Sequence, residues 1–257
     1  MPEPALSQAL IAGAFAFVLV LCRCGAAILL LPGFADEGTP VQWRIGFAVA
    51  LTLLLLPVVS PHLPAMPEDF TRLALLVAGE LFAGGLLGWL ARMAALALPA
   101  AGQIISLSTG QSSVLQPDQN FGAQTAAIGL LFGRLAPVLL LATGLYALPL
   151  QALAGSYTAL PPGQPPPGAD AMEMLVRAIS AQFALALQLA APFVLLSAIW
   201  NAGLGLLSRL VPNIQVHFVA LPGQILGGLL LLAALAAPAC GRWLSEVARG
   251  FSGLPGL

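Results

Sequence analysis

Long apolar runs alternate with short polar segments along the chain. Each run is long enough for a membrane-spanning helix, which needs about 20 apolar residues. The segments between the runs are rich in Pro, Gly, Asp and Asn, residue types that end helices. The pattern predicts an all-α integral membrane protein of about six hydrophobic, partly broken helices in a single domain over residues 1–257. The runs are Ala5–Leu31, Val41–Val59, Phe70–Leu98, Phe121–Ala154, Ala178–Leu207 and Val216–Ala239.

The fourth run, Phe121–Ala154, is too long for one straight membrane helix. At 1.5 Å per residue it would measure on the order of 50 Å, whereas the hydrocarbon core of a bilayer is about 30 Å thick. Proline removes a backbone donor and clashes with the preceding turn. We therefore expect Pro137 and Pro149 to bend or break this helix.

The composition excludes an ordinary soluble domain. Hydrophobic residues make up 59% of the chain and charged residues 7%, against roughly 25% charged residues in a typical soluble domain. Lipid or partner proteins must therefore cover much of the surface. The formal net charge is -1 and the arginines are scattered, so no basic patch is available for nucleic acid. The loops also lack the arginine bias that orients a conventional multi-pass protein, as expected of a chain held mainly by partner subunits.

The cysteines and histidines do not form a metal-binding or catalytic pattern. Cys22 and Cys24 are two residues apart on a predicted helix and point to different faces, and Cys240 is distant in sequence. Such cysteines are expected to be free, buried thiols. His62 and His217 have no second ligand at helical spacing. We predict no metal, no cofactor and no enzymatic activity.

A row of small and charged residues marks one face of the third apolar run. Glu80, Gly84, Gly88 and Arg92 follow one another at four-residue steps and so share a helix face. The favoured interpretation is close helix packing through the glycines, with the charges buried and satisfied by neighbours. An ion or proton pathway built on Glu80 is the alternative. Arg134 is expected to pair with a helix-end carbonyl or a carboxylate.

The segment Gly102–Gln124 is strongly polar, with Asp118 as its one charged residue. Gln103, Ser106 and Gly110 share one face of a short predicted helix that ends at the sequence TGQSSVLQPDQN. At membrane depth, irregular backbone is tolerated only where protein buries it or water reaches it. The favoured interpretation is a loop that lines or blocks a polar passage, and the alternative is an exposed connection between two helices.

Five stretches in this order resemble the FliR/SctT family of type III export proteins. They are Glu37–Pro57, Gly79–Trp89, Ala101–Gly110 with Pro117 and Asp118 after it, Gly155–Gly163 and Asn201–Pro222. The last is the most specific and contains Gly203, Gly205, Arg209, Pro212 and Pro222. Gln103 replaces the acid usual in the family, and Leu145 replaces the histidine of a common Gly-His pair. The injectisome branch often has an acid before its G-L-G segment, where this chain has WNAG, so the flagellar branch is favoured.

The resemblance implies a non-enzymatic subunit of the flagellar type III protein export gate, in the bacterial inner membrane at the flagellar basal body. One copy would assemble with several FliP and FliQ chains and contact FlhB. The helices would form hairpins stacked in a helical array around a central channel, and the cargo would be unfolded flagellar proteins.

The resemblance also implies a channel plug. The central loop of the family maps by order onto Gly110–Asp118, and we call this range the plug segment. It would obstruct the channel until cargo displaces it. Its residues are Gly110, Gln111, Ser112, Ser113, Val114, Leu115, Gln116, Pro117 and Asp118.

Three other functions compete with a flagellar gate. An injectisome export gate belongs to the same superfamily. A small-solute or ion transporter would use Glu80 and Arg134, but the inverted repeat expected of many transporters is not evident. An intramembrane hydrolase would need a nucleophile such as Ser108, Ser112 or Ser156, but no G-x-S-x-G motif is present.

Overall fold

A computed structural model of the chain describes residues 3–35, 39–111, 115–117, 124–162, 168–210 and 216–257. This part contains seven α-helices, two three-residue strands and one 3-10 turn, at Ser60–His62. The helices are α1 (Glu3–Ile28), α2 (Val41–Val59), α3 (Phe70–Ser108), α4 (Ala127–Thr143), α5 (Ala147–Ala159), α6 (Gly168–Leu210) and α7 (Val216–Ser252). The strands are β1 (Leu115–Pro117) and β2 (Gln124–Ala126).

The helices confirm the prediction of an all-α integral membrane protein. Among the described residues, five stretches are long and apolar enough to cross a membrane, and the bent pair α4 and α5 counts as a sixth. The five stretches are Leu10–Ile28, Val41–His62, Phe70–Ser108, Gly168–Leu210 and Ala220–Ser252.

The bend in the fourth apolar run lies at a glycine rather than at the two predicted prolines. The axes of α4 and α5 differ by 72°, and the break between them contains Gly144 with a φ of 74°. Glycine reaches this left-handed region without steric cost because it has no Cβ. Pro137 lies inside α4. Pro149 is the third residue of α5, where a backbone donor has no partner within the helix, so α5 tolerates it.

Three helices are longer than their apolar runs. The helix α3 has 39 residues and continues through Pro99 to Ser108, so Gln103 and Ser106 belong to its last turns rather than to a separate short helix. The helices α6 and α7 have 43 and 37 residues. At 1.5 Å per residue, each of the three measures roughly 55–65 Å, about twice the thickness of the hydrocarbon core.

The chain divides into two compact units. Unit 1 consists of residues 1–93, 140–178 and 248–257, and unit 2 of residues 94–139 and 179–247. The single domain over residues 1–257 therefore stays a prediction.

Unit 1 has a core between its helices. The helices α1 and α2 pack against each other, and Phe34 stacks on Phe47 with ring centroids 4.6 Å apart. Close packing of α5 with the C-terminal segment requires glycine, because a Cβ at Gly155 would overlap the backbone of Gly256. Buried apolar residues of this unit include Leu19, Val20, Cys24, Leu153 and Phe251.

Unit 2 has its own core, which includes Leu98, Ile105, Phe132, Phe193 and Trp243. The helices α3 and α4 approach closely at two glycines, since a Cβ at Gly102 would lie 2.8 Å from the Cα of Gly129. Small residues allow such backbone contact between apolar helices.

Many large apolar side chains of the isolated chain face outward. Trp43 is 73% exposed, Phe70 79%, Ile199 71% and Leu210 78%. A surface of this kind is covered by lipid or by other proteins in a functional molecule.

Candidate functional site

The predicted plug segment begins at Gly110, two residues after the end of α3. Gly110 has a φ of 76°, and its backbone amide donates to the carbonyl of Leu107 over 3.4 Å. A glycine in this conformation just after a helix is a common helix stop, because other residues adopt it only with strain. Gly110 therefore turns the chain away from the axis of α3.

Part of the plug segment has regular structure. The strands β1 and β2 pair antiparallel, with Leu115 opposite Ala126, Gln116 opposite Thr125 and Pro117 opposite Gln124. The expectation of irregular backbone is therefore wrong for residues 115–117, which form a short strand paired with residues 124–126. The predicted plug residues Ser112, Ser113, Val114 and Asp118 lie outside the described residues.

The polar face that precedes the plug segment packs within unit 2. The side chain of Gln103 lies against Gly129 of α4, and a Cβ at Gly129 would approach its Cδ to 2.6 Å. Ser106 is fully buried, and within the described part its hydroxyl has no hydrogen-bond partner. A buried hydroxyl without a partner is costly. In the isolated chain, protein covers Ser106 completely and Gln103 in part.

The charge at Glu80 is paired inside unit 1. Arg23 of α1 donates from Nε to Oε2 of Glu80 over 2.7 Å and from Nη2 to Oε1 over 2.9 Å. The side chains of both residues are 2% exposed. This two-point geometry is the strongest arrangement available to an arginine and a carboxylate.

The other donors of Arg23 contact α5 and the residue that follows it. Its Nη1 donates to Oγ of Ser156 over 3.2 Å, and its Nη2 donates to the carbonyl of Leu160 over 3.0 Å. The guanidinium carbon lies 4.1 Å from the ring centroid of Tyr157, a cation-π contact. One arginine therefore connects α1, α3 and α5.

The glycines on the Glu80 face allow α3 to approach α1. A Cβ at Gly84 would overlap the carbonyl of Arg23, and a Cβ at Gly88 would lie 2.6 Å from the carbonyl oxygen of Ala27. Backbone contact at Gly84 places α3 beside the residue that pairs with Glu80. The charge pair and the glycine contacts thus belong to one helix interface.

The other two predicted buried charges are less enclosed. Arg92 is half-buried. Arg134 is exposed on α4 in the isolated chain, and its pairing with a carbonyl or a carboxylate stays a prediction. The reason for its exposure is helical phase, since Arg134 points away from the buried side chains of Phe132 and Ala136.

The Arg23–Glu80 pair lies beside a cavity of about 900 Å³ within unit 1. Its lining includes Arg23, Glu80, Arg72, Leu75, Phe82 and Pro162. Because the pair is neutral as a whole and already hydrogen-bonded, it offers little net charge to a ligand. The arrangement stabilises a helix interface and does not resemble a proton relay, which uses several carboxylates.

The described residues offer no group of three or more metal-ligating side chains. Cys22, Cys24 and Cys240 are free thiols, of which Cys24 is buried as predicted, whereas Cys22 and Cys240 are half-buried.

The motif residues at the end of α6 face outward. Gly203, Gly205 and Arg209 are exposed, and a Cβ at either glycine would meet nothing within 4 Å. Pro222 lies inside α7, whereas Pro212 lies outside the described residues. Among the described residues, nothing packs against the Cβ positions of these two glycines.

Sequence reasoning did not identify Arg23, Gln224 or Gly228 as site residues. Arg23 is the one charged residue in the run Leu10–Leu31, and an intramembrane charge needs a partner. Gln224 donates from Nε2 to the carbonyl of Ser108 over 3.0 Å. Gly228 packs against the side chain of Thr109. Arg23 and Gln224 are polar residues within apolar runs, and this could have marked them as candidate site residues. Their polarity does not identify the residues with which they pair.

The sequence is similar to known bacterial export proteins. Residues 14–249 match the family described as Bacterial export proteins, family 1. The chain is 33% identical over 215 residues to the flagellar biosynthetic protein FliR of Caulobacter vibrioides, which covers 84% of this chain and 86% of that protein. It is 29% identical over 232 residues to the FliR of Escherichia coli K12, covering 88% and 87%. It is 27% identical over 209 residues to the Yop proteins translocation protein T of Yersinia pestis, covering 80% of each chain.

These matches confirm the resemblance found in the sequence. The family match includes both Arg23 and Glu80, the predicted plug segment and the end of α6. The flagellar relatives cover more than four fifths of the chain. This chain therefore belongs to the bacterial export proteins, family 1.

Proposed function

We propose that this protein is a subunit of the flagellar type III protein export gate and is needed for flagellum assembly. The observation that carries the proposal is the match over residues 14–249 to a bacterial export family. The relatives named flagellar biosynthetic protein FliR support the flagellar assignment. The six apolar spans fit a membrane-embedded component of such an apparatus.

The protein acts within a mixed complex in the bacterial inner membrane, at the flagellar basal body. FliP and FliQ are its neighbours, FlhB is a further contact, and unfolded flagellar proteins are the cargo. The outward-facing apolar side chains of α2 and α6, such as Trp43 and Ile199, support extensive coverage by other chains or lipid. Helices of about 60 Å also suit stacked hairpins better than simple bilayer crossing.

The plug segment Gly110–Asp118 helps to close the channel. The helix stop at Gly110 supports this role, because it lets the following residues leave the axis of α3. Uncharged amides and hydroxyls in this segment can hydrate a pore without binding charged cargo tightly.

Deletion of the encoding gene in its native bacterium tests the flagellar function. We expect flagellin to disappear from the culture medium and to return when the unaltered chain is expressed again. Export of flagellin at the normal level in the deletion strain would contradict the proposal.

Ion conductance tests the plug role. Replacement of residues 112–115 by glycine should raise K⁺ leakage through the assembled complex in planar lipid bilayers, because a flexible segment no longer fills the channel in one conformation. Glycine substitution of Ala65 and Met66, in the loop before α3, is a matched control that should leave the conductance unchanged. Equal conductance of the plug variant and the unaltered complex would count against the plug.

An injectisome export gate is the second candidate function. The relative named Yop proteins translocation protein T supports it, since that protein covers 80% of this chain. Secretion separates the two candidates, because deletion of an injectisome subunit would abolish secretion of injectisome effectors and leave flagellin export intact.

A transporter built on Glu80 and Arg134 is less well supported. The carboxylate of Glu80 is already held by Arg23, and Arg134 is exposed. Purification of the complex with its partners and native mass measurement provide the test. A transporter would be an independent monomer or homodimer, whereas an export gate subunit would be present as one copy in a mixed complex.

A further inference from the structure

The end of α3 leaves backbone groups that need partners. The last four carbonyls of a helix have no amide donor within the helix. Ser108 is the final residue of α3, and Gly110, the first residue of the plug segment, follows two positions later. Whatever holds the carbonyl of Ser108 therefore holds the backbone from which the plug segment begins.

One face of α7 contacts this point. Leu221, Gln224 and Gly228 are spaced by three and four residues and share a helix face. The Nε2 of Gln224 donates to the carbonyl of Ser108 over 3.0 Å. A Cβ at Gly110 would lie 3.3 Å from Cδ1 of Leu221 and 3.6 Å from Nε2 of Gln224.

Gly228 allows α7 to approach Thr109 at the end of α3, because it has no side chain. A Cβ at this position would lie 2.6 Å from the Cβ of Thr109 and would overlap its methyl group. Thr109 is itself fixed, because its hydroxyl donates to the carbonyl of Ile105 over 2.9 Å. The adjacent Gly227 differs, since a Cβ there would meet no atom of the described residues within 4 Å.

We propose that Gln224 and Gly228 of α7 are positioning residues that hold the start of the plug segment in the closed gate. Gln224 fixes the final carbonyl of α3, and Gly228 provides room for the last side chain before the chain turns. Leu221 limits the space beside Gly110. The inference rests on the proposed plug function of Gly110–Asp118 and concerns only its first residue, Gly110, and the end of α3.

The hydrogen bond from Gln224 can be removed with little change in volume. Gln224→Glu keeps the shape of the side chain, but a carboxylate cannot donate to the carbonyl of Ser108. Gln224→Met keeps the length and removes all hydrogen bonding. Gly228→Ala displaces Thr109 without altering Gln224, and so tests the same contact independently.

The readout is K⁺ conductance of the complex, purified through a tag on this chain and reconstituted in planar lipid bilayers. We expect both Gln224 variants and Gly228→Ala to raise the closed-state conductance roughly five-fold, the population change that follows loss of one hydrogen bond or a comparable contact. The amount of assembled complex should not change, whereas a purely structural role would lower the amount and leave the conductance of the assembled fraction unchanged.

Two controls match these variants. Gly227→Ala adds the same methyl group one residue away, in open space. Gln188→Glu makes the same amide-to-acid change on α6, where the side chain is exposed and accepts from Arg242. Both controls should retain the conductance of the unaltered complex.

The plug variant with glycine at residues 112–115, measured in the same bilayers, separates the inference from the function on which it rests. If that variant leaks and the Gln224 and Gly228 variants do not, the role of α7 is overturned and the plug remains. If none of them leaks, the plug role itself is wrong. Failure of all three α7 variants to assemble would also overturn the inference, because these residues would then be needed for folding.

Discussion

Removal of the charge of Glu80 should leave the guanidinium of Arg23 buried without its counter-ion. In Glu80→Gln, the side-chain volume hardly changes, so the effect reports the charge rather than a cavity. Both side chains are 2% exposed, and the two hydrogen bonds measure 2.7 and 2.9 Å. Breaking a buried pair from one side costs about 3–5 kcal/mol. Because Ser156 and the carbonyl of Leu160 still accept from Arg23, we expect a cost near the lower end, about 3 kcal/mol.

Equilibrium unfolding of the purified protein in mixed detergent micelles measures this cost through the fluorescence of its four tryptophans. Glu173→Gln provides the matched control. Glu173 and Arg177 form an ion pair within α6 at 2.5 Å, with side chains 61% and 78% exposed. An exposed pair of this spacing contributes about 0.3–0.5 kcal/mol, so the control should lose less than a fifth of what Glu80→Gln loses.

A double substitution tests the reason for the loss. Arg23→Met with Glu80→Met removes both charges together, and replacement of a whole buried pair by apolar side chains is often neutral or stabilising. We expect the double variant to be more stable than Glu80→Gln. If Glu80→Gln loses no more free energy of unfolding than Glu173→Gln, the pair does not stabilise unit 1 and the reasoning is refuted.

Two glycines give further predictions for the free energy of unfolding. Gly84→Ala should cost about 1–3 kcal/mol, because its methyl group would overlap the carbonyl of Arg23, whereas Gly85→Ala, with nothing within 4 Å, should be neutral or slightly stabilising. Equal unfolding curves for these two variants would contradict the close approach of α3 to α1. Gly144→Ala should cost about 1–2 kcal/mol through its φ of 74° alone, since the space around it is open. Gly144→Asn should cost less because asparagine tolerates this region better, and an equal loss for both would argue against a backbone origin.

Some helix boundaries were predictable from the apolar runs, because these runs depend only on local composition. The second run, Val41–Val59, has the same bounds as α2. Extension of helices beyond their apolar runs was not predictable by hydropathy. A helix can include polar residues such as Gln103 and Ser106, which lie in the last turns of α3. The end of an apolar run therefore does not mark the end of the hydrogen-bonded helix.

Proline positions were a poor guide to the bend between α4 and α5. Pro137 is accommodated within α4, and Pro149 occupies the first turn of α5. The bend lies at Gly144, whose positive φ depends on the path of the whole chain. Glycine permits such a conformation but does not require it, so the sequence could not indicate which of its 27 glycines would adopt it.

The sequence by itself determined four features of this protein. They are the membrane class, the approximate helix count, the family resemblance and the helix face shared by Glu80, Gly84 and Gly88. These features follow from composition and from the 3.6-residue helix period, which are local properties. The partners of that face and of the plug segment were decided only by the tertiary structure. Arg23 lies 57 positions from Glu80, and Gln224 lies 116 positions from Ser108. Contacts over such separations depend on which helices pack together and at what rotation, and no local pattern specifies either.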